Sequence, residues 1–262
     1  MSYLPLRMPL AVAIGAALAS CSGAQGAVAI PVPAAAALHV DSNIDGEPHV
    51  LHHLTAQPTL LGADHGSVLV DHIREPGDFA HRNYCGPGAT QVLLSAWLDK
   101  IPDLELIALR SKLNPKRGEY GAMAVIAINS FLNPTVIPVL GHPRYRAERV
   151  LTLAAVKDRI RRDILDPNAI RLFGHGAPIM VQTMTGTLPG WNHWNATHMI
   201  TIFAFDFSHN NPALDTVTYV ETSSRLTGYR GRGLETITVK ELWTAMQAFI
   251  VKAPYDPMNV IS

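Results

Sequence analysis

The chain reads as an α+β domain, on three observations. Apolar residues at helical spacing crowd the first half of the sequence. Runs rich in β-branched and aromatic residues, bounded by Gly, Pro or Asn, follow in the second half. A capped amphipathic segment closes the chain. Helices first and an antiparallel sheet second is the α+β order.

Each element has its own local signal. After Cys85 the residues Ala89, Val92, Leu93, Ala96 and Trp97 fall on one helical face, and Pro87 sits in the first turn, where its missing N–H leaves nothing unpaired. Further helices are expected across Leu104 to Leu113, stopped before Pro115, across Ala122 to Leu132, and from about Ala147 to Leu165, ending before Asp166-Pro167. Strands are expected at Pro178 to Met184, His198 to Phe207 and Thr216 to Glu221. The last two are joined by the polar, proline-bearing stretch SHNNPALD, as a hairpin would be. Thr238 caps a final helix that runs to Phe249.

The totals exclude some functions. At 262 residues with 48% hydrophobic and 16% charged side chains, the chain can bury a substantial core and does not have the composition of a disordered protein. Lys+Arg and Asp+Glu both number 21, so no basic excess offers a footprint for nucleic acid.

The N-terminus reads as an export signal. One early charge, Arg7, precedes an apolar run from Met8 to Ala19, too short to span a bilayer comfortably. The run ends in Leu18-Ala19-Ser20-Cys21, which resembles the bacterial lipobox and implies lipidation at Cys21. Ordinary cleavage near Ala24 or Ala27 is the alternative. Residues 1–21 are therefore assigned to a signal, residues 22–46, rich in Ala, Pro and Val, to a tether, and residues 47–262 to the domain. The expected location is the cell envelope, as a lipoprotein, or outside the cell. The expected state is a monomer that meets the membrane only through the lipid.

Export makes the cysteine count informative. Of the two cysteines, Cys21 is lipidated or removed, which leaves Cys85 alone in an oxidising compartment. A small buried hydrophobe is one use for it. A nucleophile is the other. A helix start carries unpaired N–H groups and about half a positive charge, which favours a thiolate. The backbone N–H of Cys85 could also face a developing oxyanion. A cysteine nucleophile needs a base, and His198 at the head of the strand HMITIFAFDF is the candidate. Its orienting acceptor is expected on the adjacent strand, where Glu221 ends TVTYVE. Asp206 and Asp215 lie at the turn end of the hairpin.

Other residues invite weaker readings. His49, His52 and His53 cluster just after the tether, without the helix context of an i, i+4 zinc-peptidase motif, and His175 shows no diagnostic ligand spacing, so no metal and no cofactor is expected. Trp191, Trp194 and His175 lie where they could line a substrate groove, with core packing as the default for the two tryptophans.

In order, YCGPGATQVLLSAW, GAPIMVQTM, HMITIFAFDF, TVTYVETSS and TITVKELWTAM resemble the blocks of papain-like cysteine peptidases, closest to the bacterial bacteriocin-leader (double-glycine) peptidase-like family. The resemblance covers roughly Val68 to Phe249. It implies a papain-like fold, Cys85 as nucleophile, His198 as general base and acid, Glu221 as orienter, and a peptide or protein substrate. Two positions depart from the family. Phe79 stands where a Gln usually supplies an oxyanion donor, leaving Asn83 and His81 as nearby polar substitutes, and Glu221-Thr222 replaces the usual Asp-Pro. The expected activity is hydrolysis of peptide or isopeptide bonds. The alternatives are acyl transfer of transglutaminase or cell-wall amidase type, and a catalytically silent binding lipoprotein on the same fold.

Overall fold

The computed structural model describes residues 64–192 and 194–262. The expected signal and tether, Cys21, the histidines at 49, 52 and 53, and the first residues of the expected domain lie outside them. The described residues belong to one compact unit. In chain order its elements are β1 (His65–Ser67), α1 (Cys85–Ser95), α2 (Leu104–Arg110), α3 (Gly121–Leu132), α4 (Ile137–Leu140) and β2 (Ala147–Glu148). Then come α5 (Leu153–Ile164), α6 (Pro167–Phe173), β3 (Ile179–Met184), β4 (Thr197–Asp206) and β5 (Thr216–Val220). The chain closes with β6 (Leu234–Thr238), α7 (Val239–Lys252) and β7 (Val260–Ile261).

The strands form one open antiparallel sheet in the order β2-β7-β3-β4-β5-β6, with β1 pairing the far end of β4. Its centre is covered on both faces, so β3 and β4 read as nearly continuous apolar runs rather than as alternation. Along β3, Ile179 and Val181 enter one core cluster with α5 and α7, while Met180 enters another with α1, α2 and α3. Along β4, Ile200 and Ile202 join the first cluster and Met199 the second. The architecture is α+β, but the helices do not all lie on one side. The sheet separates α1–α3 from α5 and α7.

Most boundaries follow from local chemistry. Thr238 and Glu241 form a reciprocal capping box at the start of α7, worth about 1 kcal/mol. Asp166 caps α6 through the N–H groups of Asn168 and Ala169, and Pro167 occupies its first position. The helix expected from Ala147 starts only at Leu153. Ala147 and Glu148 pair with Ile261 and Val260 instead, and the Thr152 hydroxyl accepts from the Ala155 N–H to begin α5. β1, β6 and β7 carry five residues or fewer. Such short strands take their pairing from neighbours rather than from a pattern of their own.

Candidate active site

α1 positions the sulfur. Tyr84 is its N-cap and Cys85 its first residue, so the thiol sits at the positive end of the helix dipole. The two glycines that follow are required by contact. A Cβ on Gly86 would lie 2.0 Å from the Glu119 carboxylate, and one on Gly88 would lie 2.8 Å from the Thr222 hydroxyl. Thr201 on β4 donates to the Ala89 carbonyl at 2.7 Å, pinning the helix to the sheet. The Cys-Gly-Pro-Gly sequence thus lets a helix start press between two chain segments.

His198 is the second residue of β4 and is 3% exposed. Glu221 directly follows β5 and is fully buried. The His198 Nε2 lies 2.9 and 2.8 Å from the two Glu221 oxygens, which leaves Nδ1 for another partner. Cys85 lines the same cleft as His198 and acts on its ring. Burial pulls the proton affinity of His198 down, but Glu221 and then Cys85 outweigh it and hold its pKa well above the ordinary value. For Glu221, burial pushes the pKa up. The imidazole and hydrogen bonds from His198, the Ser223 N–H and the Trp191 indole outweigh burial and hold the pKa below the ordinary value. The physical picture is an imidazolium paired with a carboxylate, with sulfur beside it.

Trp191 borders the cleft and is also packed into the core. It is 3% exposed, donates its indole N–H to Glu221 at 3.1 Å and meets the His198 ring edge-on at 5.0 Å between centroids. It therefore seals the imidazole–carboxylate pair while one part of it borders the cleft. Trp194 is 61% exposed and does not border the cleft. His175 is packed among Trp97 and Phe173, and its Nδ1 donates to the Gly176 carbonyl at 2.6 Å. It too stays away from the cleft.

The oxyanion candidates separate. Asn83 borders the cleft, with one amide hydrogen committed to the Pro115 carbonyl at 2.6 Å. His81 is held between Asp78 at 2.7 Å and Glu105 at 2.6 Å and does not border it. Phe79 is 70% exposed under the Arg82 guanidinium and brings no donor to the cleft.

Several cleft residues had no signal in the sequence. Gln182 borders the site from β3, but its amide nitrogen donates to Asp256 and to the Met258 carbonyl. Glu119 comes from the turn after Gly118, and Arg82 and Arg117 flank the opening. Only Gln182 lies on a foreseen element, and nothing in a strand pattern marks which of its residues ends beside a cleft. Among the described residues no cluster of His, Cys, Asp and Glu is arranged to hold a metal, and no helix is long and apolar enough to cross a membrane.

No family model matches the chain, and no curated protein matches it.

Proposed function

We propose that this protein is an exported cysteine peptidase that hydrolyses peptide or isopeptide bonds through Cys85, His198 and Glu221. One observation carries the reading. Residues from three chain segments line up as sulfur, imidazole and carboxylate, with Cys85 and His198 lining the cleft and the far ring nitrogen bound by a buried acid behind it. A histidine serving only the core would not need a charged partner in a fully buried position. The papain-like resemblance of the sequence points the same way.

In the proposed reaction the Cys85 thiolate attacks the substrate carbonyl carbon, and the carbonyl electrons move onto oxygen, facing the Cys85 N–H. The tetrahedral species collapses as His198 delivers its proton to the departing nitrogen, leaving a thioester and a free amine. His198 then takes a proton from water, the hydroxide attacks the thioester, and the acid product and Cys85 are released. Glu221 holds the ring in one tautomer throughout. Cell-envelope attachment through a lipid on Cys21, and a monomeric state, are part of the same proposal.

The exposed Phe79 favours a second reading, a binding scaffold with the same fold, because losing one oxyanion donor can slow such chemistry on the order of 10²–10³-fold. The test is a mixed-peptide digest with the products read by mass spectrometry, run with and without an added amine. Hydrolysis that vanishes in Cys85→Ala and in His198→Ala supports the peptidase. Amine adducts would instead assign acyl transfer, and no turnover with any peptide would favour the scaffold.

A further inference from the structure

The charged groups around the cleft do not balance. Its walls carry Arg82, Arg117, Glu119 and His198. The imidazole is already matched by Glu221 beneath it. Glu119, the remaining acid, is turned away under the first turn of α1. Its carboxylate lies against Gly86 with both oxygens buried and without a hydrogen bond. Burial raises its pKa to about 8, against a weaker opposing contact from Ser111, which favours its neutral form. It therefore does not neutralise the arginines.

Nothing else does. The Arg82 guanidinium lies 3.9 Å over the Phe79 ring and donates only to the Phe79 carbonyl, at 2.8 Å. Arg117 has no side-chain hydrogen bond or ion pair among the described residues. The acids Asp78 and Glu105 both bind His81, and neither forms an ion pair with Arg82 or Arg117. Two guanidinium groups without an ion pair among the described residues thus stand at the cleft that holds the positive end of α1 and the sulfur. Such a wall raises the local concentration of anions and repels cations, and guanidinium matches a carboxylate with two parallel N–H donors.

We propose that the cleft selects acyl substrates that carry a carboxylate close to the scissile carbonyl, held by Arg82 and Arg117. The proposal deepens the peptidase reading and rests on it for the word substrate. The carboxylate is either an acidic side chain or a free chain terminus, which share this chemistry.

The test uses two alkylating probes that differ in charge, iodoacetate and iodoacetamide, on the full chain, with Cys85 followed by mass spectrometry of its own peptide. The quantity read is the ratio of the two rates. In Arg82→Ala/Arg117→Ala the preference for iodoacetate is expected to fall roughly 3- to 10-fold, in keeping with two exposed charge contacts. Arg82→Lys/Arg117→Lys is expected to keep most of it, and added salt to weaken it in the wild type. An unchanged ratio in the alanine variant overturns the proposal. The ratio remains readable if Cys85 reacts no faster than a free thiol, and that slowness would count against the peptidase reading alone. Protection of Cys85 from iodoacetamide then separates the two sources. Glu- and Gln-containing peptides with amidated ends test the side chain, and matched peptides with free or amidated ends test the terminus. Protection by neither overturns the proposal.

Discussion

Replacing Glu75 with Gln should change the way stability depends on pH. Glu75 is buried behind the site, where its N–H donates to the Thr222 carbonyl at 2.8 Å and its carboxyl accepts from the Thr222 hydroxyl at 2.6 Å. Burial raises its pKa from the ordinary 4.5 to about 7, opposed by the Thr222 hydrogen bond and by His198, while the Glu221 charge adds to the rise. The sign follows from proton counting. Between pH 4.5 and about 7 the unfolded chain has released this proton and the folded chain still holds it, so raising the pH favours unfolding. The contribution is fully present below pH 4.5, is lost as pH rises through about 7, and is constant above that. At 1.36 kcal/mol for each tenfold change in proton affinity, the loss is about 3 kcal/mol. Glu75→Gln cannot ionise, so its stability relative to the wild type should rise by about that much from pH 4 to pH 8. Urea unfolding of both proteins across this range measures it, and titrating groups remote from Glu75 cancel in the difference. A fixed offset from the glutamine amide is irrelevant, because only the slope is diagnostic. Two parallel stability curves would refute the reasoning and mean that Glu75 is ionised in the folded protein at pH 5.

Two further substitutions probe the surroundings of the site. Trp191→Phe removes the indole N–H from buried Glu221. Hydrogen bonds to charged groups are worth about 1.5–3 kcal/mol, so the urea midpoint should drop accordingly, and an unchanged midpoint would deny the indole that role. Gly86→Ala places a methyl group 2.0 Å from one Glu119 oxygen and 2.7 Å from its Cβ. Overpacking of this kind costs about 1–3 kcal/mol. The loss should be partly recovered in Gly86→Ala/Glu119→Ala, whereas simple additivity of the two changes would show that the residues do not press on each other.

How much of this could be read from the chain depends on how local each signal is. The helical face of Ala89, Val92 and Leu93, the apolar stretches around Val181 and Ile200, and the Thr238 cap are set by near neighbours, and each appears as an element close to its expected bounds. The helix expected from Ala147 starts late because a strand more than a hundred residues away claims its first residues. Cys85, His198 and Glu221 could be named because a helix start, a strand head and a strand end each mark a position in sequence. Their convergence, with Cys85 and His198 at the cleft and Glu221 buried behind the ring, is a property of the sheet order. The role of Trp191 is not legible in the sequence, since core packing is the default for a tryptophan there and only the fold turns this one onto Glu221. Glu75 and Glu119 look like ordinary surface acids in REPGD and KRGEY. Their burial comes from contacts with Thr222 and Gly86, and no spacing rule encodes those contacts.

The most direct measurement of the central claim is the pH profile of Cys85 alkylation by iodoacetamide in the full chain, read on the Cys85 peptide, beside His198→Ala. A sulfur paired with an imidazolium that Glu221 holds should react fast well below pH 8, and the variant should lose that reactivity and follow the profile of a free thiol. An inert Cys85, or the same free-thiol profile in both proteins, would contradict the account and leave the cleft as a binding site.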